Sequence, residues 1–148
     1  DSVYDSPSIA AIGVAAHETG HALQYAKGYA PIQIRSAILP ATRIGSTLAP
    51  YLVIAGLIFS FYPLAYAGIA LFTLAVLFQL VTLPVEFNAS ARALRALEGN
   101  GMMTQEELDG AKRVLTAAAM TYVAALFVSL MSLLRLVLIV LGRGRRDN

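Results

Sequence analysis

His17-Glu18-Thr19-Gly20-His21 concentrates the chemistry of this chain, and it uses both histidines that the protein has. On an α-helix, residues i and i+4 share a face, so His17 and His21 can present two imidazoles to one zinc ion. Glu18, beside the first histidine, is placed to act as general base on a zinc-activated water. This is the opening half of a site for metal-assisted hydrolysis, with a peptide bond as the usual target. The bland alternative is a pair of histidines on an ordinary helix, so the flanks matter. Ser6-Pro7 reads as an N-cap followed by proline at the first helical position, and Gly28 as a C′ stop. The motif then sits mid-helix, between about Pro7 and Lys27, as shared-face ligation requires. Ile9, Ala10, Ala11, Ile12, Val14, Ala15 and Ala16 precede it, and a helix so apolar all round is a buried one. Gly20 allows another backbone to come close.

A catalytic zinc takes three protein ligands and keeps a position open for water. With no third histidine and no cysteine, the third ligand must be a carboxylate. Outside the motif the carboxylates are Asp1, Asp5, Glu86, Glu98, Glu106, Glu107, Asp109 and Asp147. Glu86 is the best of them. It is the first charge after a long apolar run, on a helix that could begin at Pro84, and a lone carboxylate at an apolar boundary is costly without a partner. Its other reading is an acidic residue favoured by a helix N-terminus. Asn88, Ser90 and Arg92 follow closely and could hold a ligand imidazole or orient the Glu86 carboxylate. Tyr4, Tyr25, Tyr29, Arg92 and Arg95 are all available to stabilise an oxyanion, and the sequence does not choose among them. Leu108-Asp109-Gly110 offers a competing site. Intramembrane site-2 proteases pair H-E-x-x-H with an L-D-G motif whose Asp binds zinc. Here the tripeptide stands in a strongly polar helix start, without the proline-rich context of that motif.

The elements that must carry these residues are membrane helices. Of 148 residues, 57% are hydrophobic and only 14% charged, against about 25% charged in soluble domains. The net charge of +2, with no large basic tract, argues against a nucleic-acid partner. The absence of cysteine excludes disulfides and thiolate metal sites. From Ile44 to Val85 no residue is charged. As one helix that run would reach roughly 60 Å, about twice the hydrocarbon thickness of a bilayer. Pro63, flanked by Tyr62 and Tyr66, divides it into two spans of about 44–62 and 64–84, joined by a tight interfacial turn. A third span covers about 117–141, with Arg135 either snorkelling toward Arg143, Arg145 and Arg146 or standing as a functional intramembrane charge. Residues 31–43, bracketed by Pro31 and Pro40, predict a short interfacial helix or loop. Residues 86–99 predict a helix leaving the membrane, and Thr104-Gln105-Glu106-Glu107 is a capping box that opens the last helix.

An even number of spans separates His21 from Glu86, which puts both on one side of the bilayer. Lys27, Arg35, Arg43, Arg92, Arg95, Lys112 and Arg113 share that side, and the turn between the spans carries no charge. The positive-inside rule makes that side cytoplasmic. The C-terminal Arg cluster falls on the other side.

The runs Ser8–Glu18, Leu83–Ser90, Glu107–Leu115 and Thr121–Ala125 resemble the YugP-type membrane zinc metallopeptidases of bacteria, over essentially the whole chain. The resemblance implies a neutral zinc peptidase of the bacterial cell (inner) membrane, and an upstream portion with another membrane helix. More distantly, the chain is similar to HtpX-type membrane proteases. That similarity implies His17, His21 and Glu86 as ligands and Glu18 as base. In the HtpX pattern an Asp often stands four residues after the Glu. Here that position is Ser90, and Asn88 is the substitute at hand.

The expectation is an all-α integral membrane protein, residues 1–148 forming one metallopeptidase domain with about three transmembrane helices and its H-E-x-x-H helix at the membrane surface. One Zn2+ per chain would serve hydrolysis of membrane or membrane-adjacent polypeptides. Two alternatives stand beside it: a non-catalytic zinc-binding or scaffold protein of the membrane, and a site-2-type protease using Asp109.

Overall fold

A computed structural model describes residues 2–101 and 103–145, with side chains from residue 9 onward. Asp1, Arg146 and Asp147 lie outside the described residues, as do the side chains of Tyr4, Asp5, Ser6 and Pro7. The chain is all helical: α1 (Ser2–Ala26), α2 (Ala30–Ile58), α3 (Tyr62–Gly99) and α4 (Gln105–Gly144).

α2, α3 and α4 are each long and apolar enough to cross a membrane. Their apolar surface is mostly not covered by protein. Only 6% of the most apolar stretch of α4 is buried, and Phe127, Val128, Leu134 and Leu138 are exposed on it. Apolar patches of that extent are found where lipid, not water, is the solvent. Several hydroxyls of the same helices are satisfied internally, as a waterless medium favours. Thr47, Thr73 and Ser132 each donate to the carbonyl four residues earlier, at 2.8–2.9 Å.

Three boundaries differ from the sequence expectation. α1 already runs from Ser2, so Ser6-Pro7 does not open it. Residues 31–43 form no separate segment, because α2 is continuous from Ala30 with Pro40 and Pro50 inside it. Pro31 falls in the first turn, where no amide donor is needed. Thr42 returns a hydrogen bond to the Ile38 carbonyl at 2.8 Å beside Pro40. α3 likewise runs through Pro84 to Gly99, so Glu86 sits mid-helix and owes nothing to a helix N-terminus.

The connections follow from local chemistry. Gly28, with φ of 63°, ends α1 in a Schellman motif: its N–H donates to the Tyr25 carbonyl at 3.0 Å and the Tyr29 N–H to the Gln24 carbonyl at 2.9 Å. The same pairing closes α2, where the Phe61 N–H reaches the Gly56 carbonyl at 2.8 Å. There the left-handed position is held by Ser60, with φ of 52°. Pro63 is inside the first turn of α3, just after this bend. Before α4 the capping box forms: the Thr104 N–H donates to Glu107 Oε2 at 2.8 Å and the Glu107 N–H to Thr104 Oγ1 at 3.3 Å.

The helices pack as two compact units. One comprises residues 1–34 and 82–123. Its core joins Ala16, Ala93 and Leu115, with Leu94 and Leu97 against them. The small residues let the helices come close: Gly110 faces Ile9, and Gly13 faces Val114. The other unit comprises residues 35–81 and 124–148. There Val53, Ala65 and Val140 form the core, with Leu57, Tyr62, Ile69 and Leu136 around it.

Candidate metal centre

All the chemistry lies in the first unit, between α1 and the second half of α3. α1 buries Gly13, Ala16, Gly20 and Gln24, and half-buries His17 and His21. These positions recur at the spacing of one helical face. The side of the helix with Val14, Glu18, Ala22 and Tyr25 is exposed. On α3, Glu86, Ala89, Ser90 and Ala93 form the facing stripe, all buried. A Cβ on Gly20 would overlap the Ala89 carbonyl oxygen, so the motif's glycine is where the two helices touch backbone to backbone.

This contact brings the two histidines to Glu86. His17 Nε2 lies 3.1 Å and His21 Nε2 3.4 Å from the same oxygen, Glu86 Oε2. The rings are 4.6 Å apart and nearly perpendicular. Glu86 is only 2% exposed, whereas the histidine side chains keep 16% and 13%, so the cluster is buried on the carboxylate side and open on the imidazole side. The outer nitrogens are held too. His17 Nδ1 pairs with Ser90 Oγ at 3.1 Å, and His21 Nδ1 with Gln24 Oε1 at 2.9 Å.

Among the described residues, His17, His21 and Glu86 form a group with the donor types and spacing to hold a metal ion, one atom from each lying within 4.8 Å of the others. Two imidazoles and one carboxylate are the donor set of a hydrolytic zinc, with a position left for water. Ligand atoms of one tetrahedral zinc stand about 3.3 Å apart, and the two nitrogen-to-oxygen separations here, 3.1 and 3.4 Å, are close to that. With Nε2 unprotonated on both rings, three acceptor atoms would face one another, and a cation between them relieves that. The residues present therefore fit zinc.

The other expected residues are placed as follows. Ser90 reaches His17 directly. Asn88 and Arg92 do not touch the ligands. Asn88 Oδ1 accepts from Gln24 Nε2 at 3.0 Å and from Arg92 Nε at 2.7 Å, and the Arg92 guanidinium stacks over Tyr29 at 5.7 Å. Asp109 is exposed, accepts a hydrogen bond from Gln105 at 3.4 Å and is not brought to the histidines. The neighbouring Gly110 is a packing residue against Ile9. Arg95 is exposed and donates to the Ala91 carbonyl on its own helix. Tyr25 lies on the exposed face with Glu18, seven positions on. The sequence reading missed Gln24. Its signal was its register: it stands three residues after His21 on the ligand face of a nearly apolar helix.

Three helices able to cross a membrane, with a two-histidine, one-carboxylate cluster between one of them, α3, and α1, define a membrane protein with the donor set of a metallopeptidase. The chain belongs to the family described as "Putative neutral zinc metallopeptidase", which it matches over residues 1–141. It is similar to "Putative membrane protease YugP" of Bacillus subtilis (strain 168), with 47% identity over 148 residues. That alignment covers 100% of this chain and 65% of the relative, so the chain spans about two thirds of the length of the curated protein it matches. No solved structure matches it.

Proposed function

We propose that this chain carries the catalytic centre of a zinc-dependent endopeptidase, in which His17, His21 and Glu86 hold one Zn2+ and Glu18 is the general base. The observation that carries the reading is the convergence of both Nε2 atoms on Glu86 Oε2. When bound, zinc supplies Lewis acidity that polarises a carbonyl and acidifies water. The rest falls to the chain. Ser90 and Gln24 hold the outer imidazole nitrogens and so aim the inner ones. Glu18, exposed one position from His17, takes a proton from the attacking water and delivers it to the leaving amine. The substrate is a polypeptide in or beside the bilayer, because a carboxylate that ends a long apolar run places the centre near the membrane surface. The protein resides in the bacterial cell membrane with this centre on the cytoplasmic side, the side of the basic residues.

A structural zinc site is closed by four protein ligands. The described residues group three here, with the histidines partly open, which favours hydrolysis over a scaffold. The test separates the roles. Glu18→Gln retains about one zinc per chain and loses hydrolysis of an unstructured membrane-anchored peptide by about 10²–10⁴-fold. Glu86→Gln loses most of the zinc. Wild-type zinc content in Glu86→Gln would remove Glu86 from the ligand set, and undiminished hydrolysis by Glu18→Gln would remove the proposed base.

A further inference from the structure

We propose that Gln24 is a positioning residue that locks the His21 imidazole in the tautomer whose Nε2 lone pair faces the metal, and that Val85, Asn88 and Arg92 hold its amide for that purpose. This rests on the zinc reading above.

Gln24 is fully buried, and each end of its amide has a partner. Its Nε2 donates to the Val85 carbonyl at 2.9 Å and to Asn88 Oδ1 at 3.0 Å. A backbone carbonyl can only accept, so the end of the amide facing Val85 must be the NH2. The Asn88 oxygen is kept on the same side by the Arg92 guanidinium, which donates to it at 2.7 Å. Turning the Gln24 amide over would set its oxygen against two acceptors in a buried place, an arrangement that costs the desolvation of all three. The Gln24 oxygen is therefore committed to His21 Nδ1, at 2.9 Å. An oxygen without a proton accepts only, so Nδ1 carries the hydrogen, which in the neutral imidazole leaves the lone pair on Nε2. That Nε2 is the atom 3.4 Å from Glu86 Oε2.

The two histidines differ in this respect. Ser90 Oγ, at His17 Nδ1, can donate or accept, and so selects no tautomer. His21 alone is locked, and the lock extends through Asn88 to an arginine that itself lies over the Tyr29 ring. Asn88 and Arg92 thus act on the metal through Gln24, although neither touches a ligand.

The test uses the detergent-purified chain, with zinc affinity read by competition against a chromophoric chelator and geometry read from the absorption bands of the Co2+ form. Gln24→Met keeps length and apolar fit but removes the acceptor. It is expected to bind zinc about 10–100-fold more weakly and to shift the Co2+ bands, while the metal-free protein keeps its helical circular dichroism. Asn88→Leu lowers affinity in the same direction by a smaller factor, and Asn88→Asp, which keeps an acceptor for both donors, recovers most of that loss. If Gln24→Met does not fold, the Asn88 pair decides. Wild-type affinity and wild-type Co2+ bands in Gln24→Met or Asn88→Leu overturn the role of Gln24 and leave the zinc centre standing. Lower metal-free stability with unchanged affinity overturns it too, as the mark of a packing residue. A wild type that binds no zinc, indistinguishable from His17→Ala, overturns the zinc reading and this proposal together.

Discussion

Gly20 packs on the backbone of Ala89 so closely that a Cβ would overlap the Ala89 carbonyl oxygen and stand 2.9 Å from its carbonyl carbon. The residue lies between the two histidines, and Ala89 lies between Glu86 and Ser90. This backbone contact of α1 with α3 is thus flanked by His17 and His21 on one helix and by Glu86 and Ser90 on the other. Helices bearing ordinary side chains at a contact lie 8–10 Å apart. Backbone contact at this point is what lets short donor-to-donor distances form.

Gly20→Ala tests this dependence. In isolation the substitution favours helix by about 1 kcal/mol. Here the new methyl meets backbone, which cannot rotate away, and overpacking of this kind costs about 1–3 kcal/mol. The helices must separate, and the donors separate with them. The expected result is a lower melting temperature and a zinc affinity weakened by about tenfold or more. Gly13→Ala is the control, since its Cβ would meet only the Val114 side chain, at 3.1 Å, and that side chain can shift. Wild-type binding in Gly20→Ala would mean that α1 does not lie this close to α3.

Zinc should also appear as stability. A ligand that binds only the folded chain stabilises it by about 2.7 kcal/mol at a hundred times its dissociation constant. The melting temperature of the wild type in detergent is expected to rise with added zinc and to fall back with chelator. His17→Ala and Glu86→Gln should show no such response. The helical signal itself should survive chelation, because the helices rest on apolar packing around Ala16, Ala93 and Leu115 and around Val53, Ala65 and Val140. Loss of helix on chelation would make the ion a structural one and favour the scaffold reading.

How far the sequence reveals this structure depends on what each residue's type gives away. His17 and His21 announce themselves by spacing, because a metal site needs one helical face. Glu86 is legible because a carboxylate ending a long uncharged run needs a partner. Gln24 is not, since a neutral amide occurs on any polar face and only its partners in space give it a role. The apolar spans were legible from charge-free length. The continuity of α2 through Pro40 was not, because proline is read as a breaker. In an apolar medium the remaining backbone bonds of the helix have no water to exchange with. The bend at Phe59–Phe61 escaped in the same way. Its left-handed residue is a serine, and Pro63, which looked like the hinge, only follows it.

That serine gives a prediction away from the site. A non-glycine residue in the left-handed region carries about 1 kcal/mol of strain. Ser60→Gly removes it while keeping the Phe61-to-Gly56 hydrogen bond that closes α2. The variant should melt slightly higher, by an amount corresponding to about 1 kcal/mol or less, with zinc binding unchanged. Lower stability would show that the Ser60 side chain contributes more to the bend than its backbone geometry costs.

The proposed orientation in the membrane rests on the placement of charge and can be tested directly, because a chain without cysteine accepts single-cysteine labelling. Phe59 is 76% exposed at a bend that carries aromatic residues and no charge, with Phe61 and Tyr66 exposed beside it. Asn100 is exposed in the connection after α3, beyond Arg92 and Arg95 and before Lys112 and Arg113. With the basic residues cytoplasmic, Phe59→Cys faces outward and Asn100→Cys inward. In intact cells a membrane-impermeant maleimide should label the first and spare the second until the membrane is opened. The reverse pattern would put Glu86 and the histidines on the outer side. Its substrates would then be secreted or surface segments instead of cytoplasmic ones, with the chemistry of the centre unaltered.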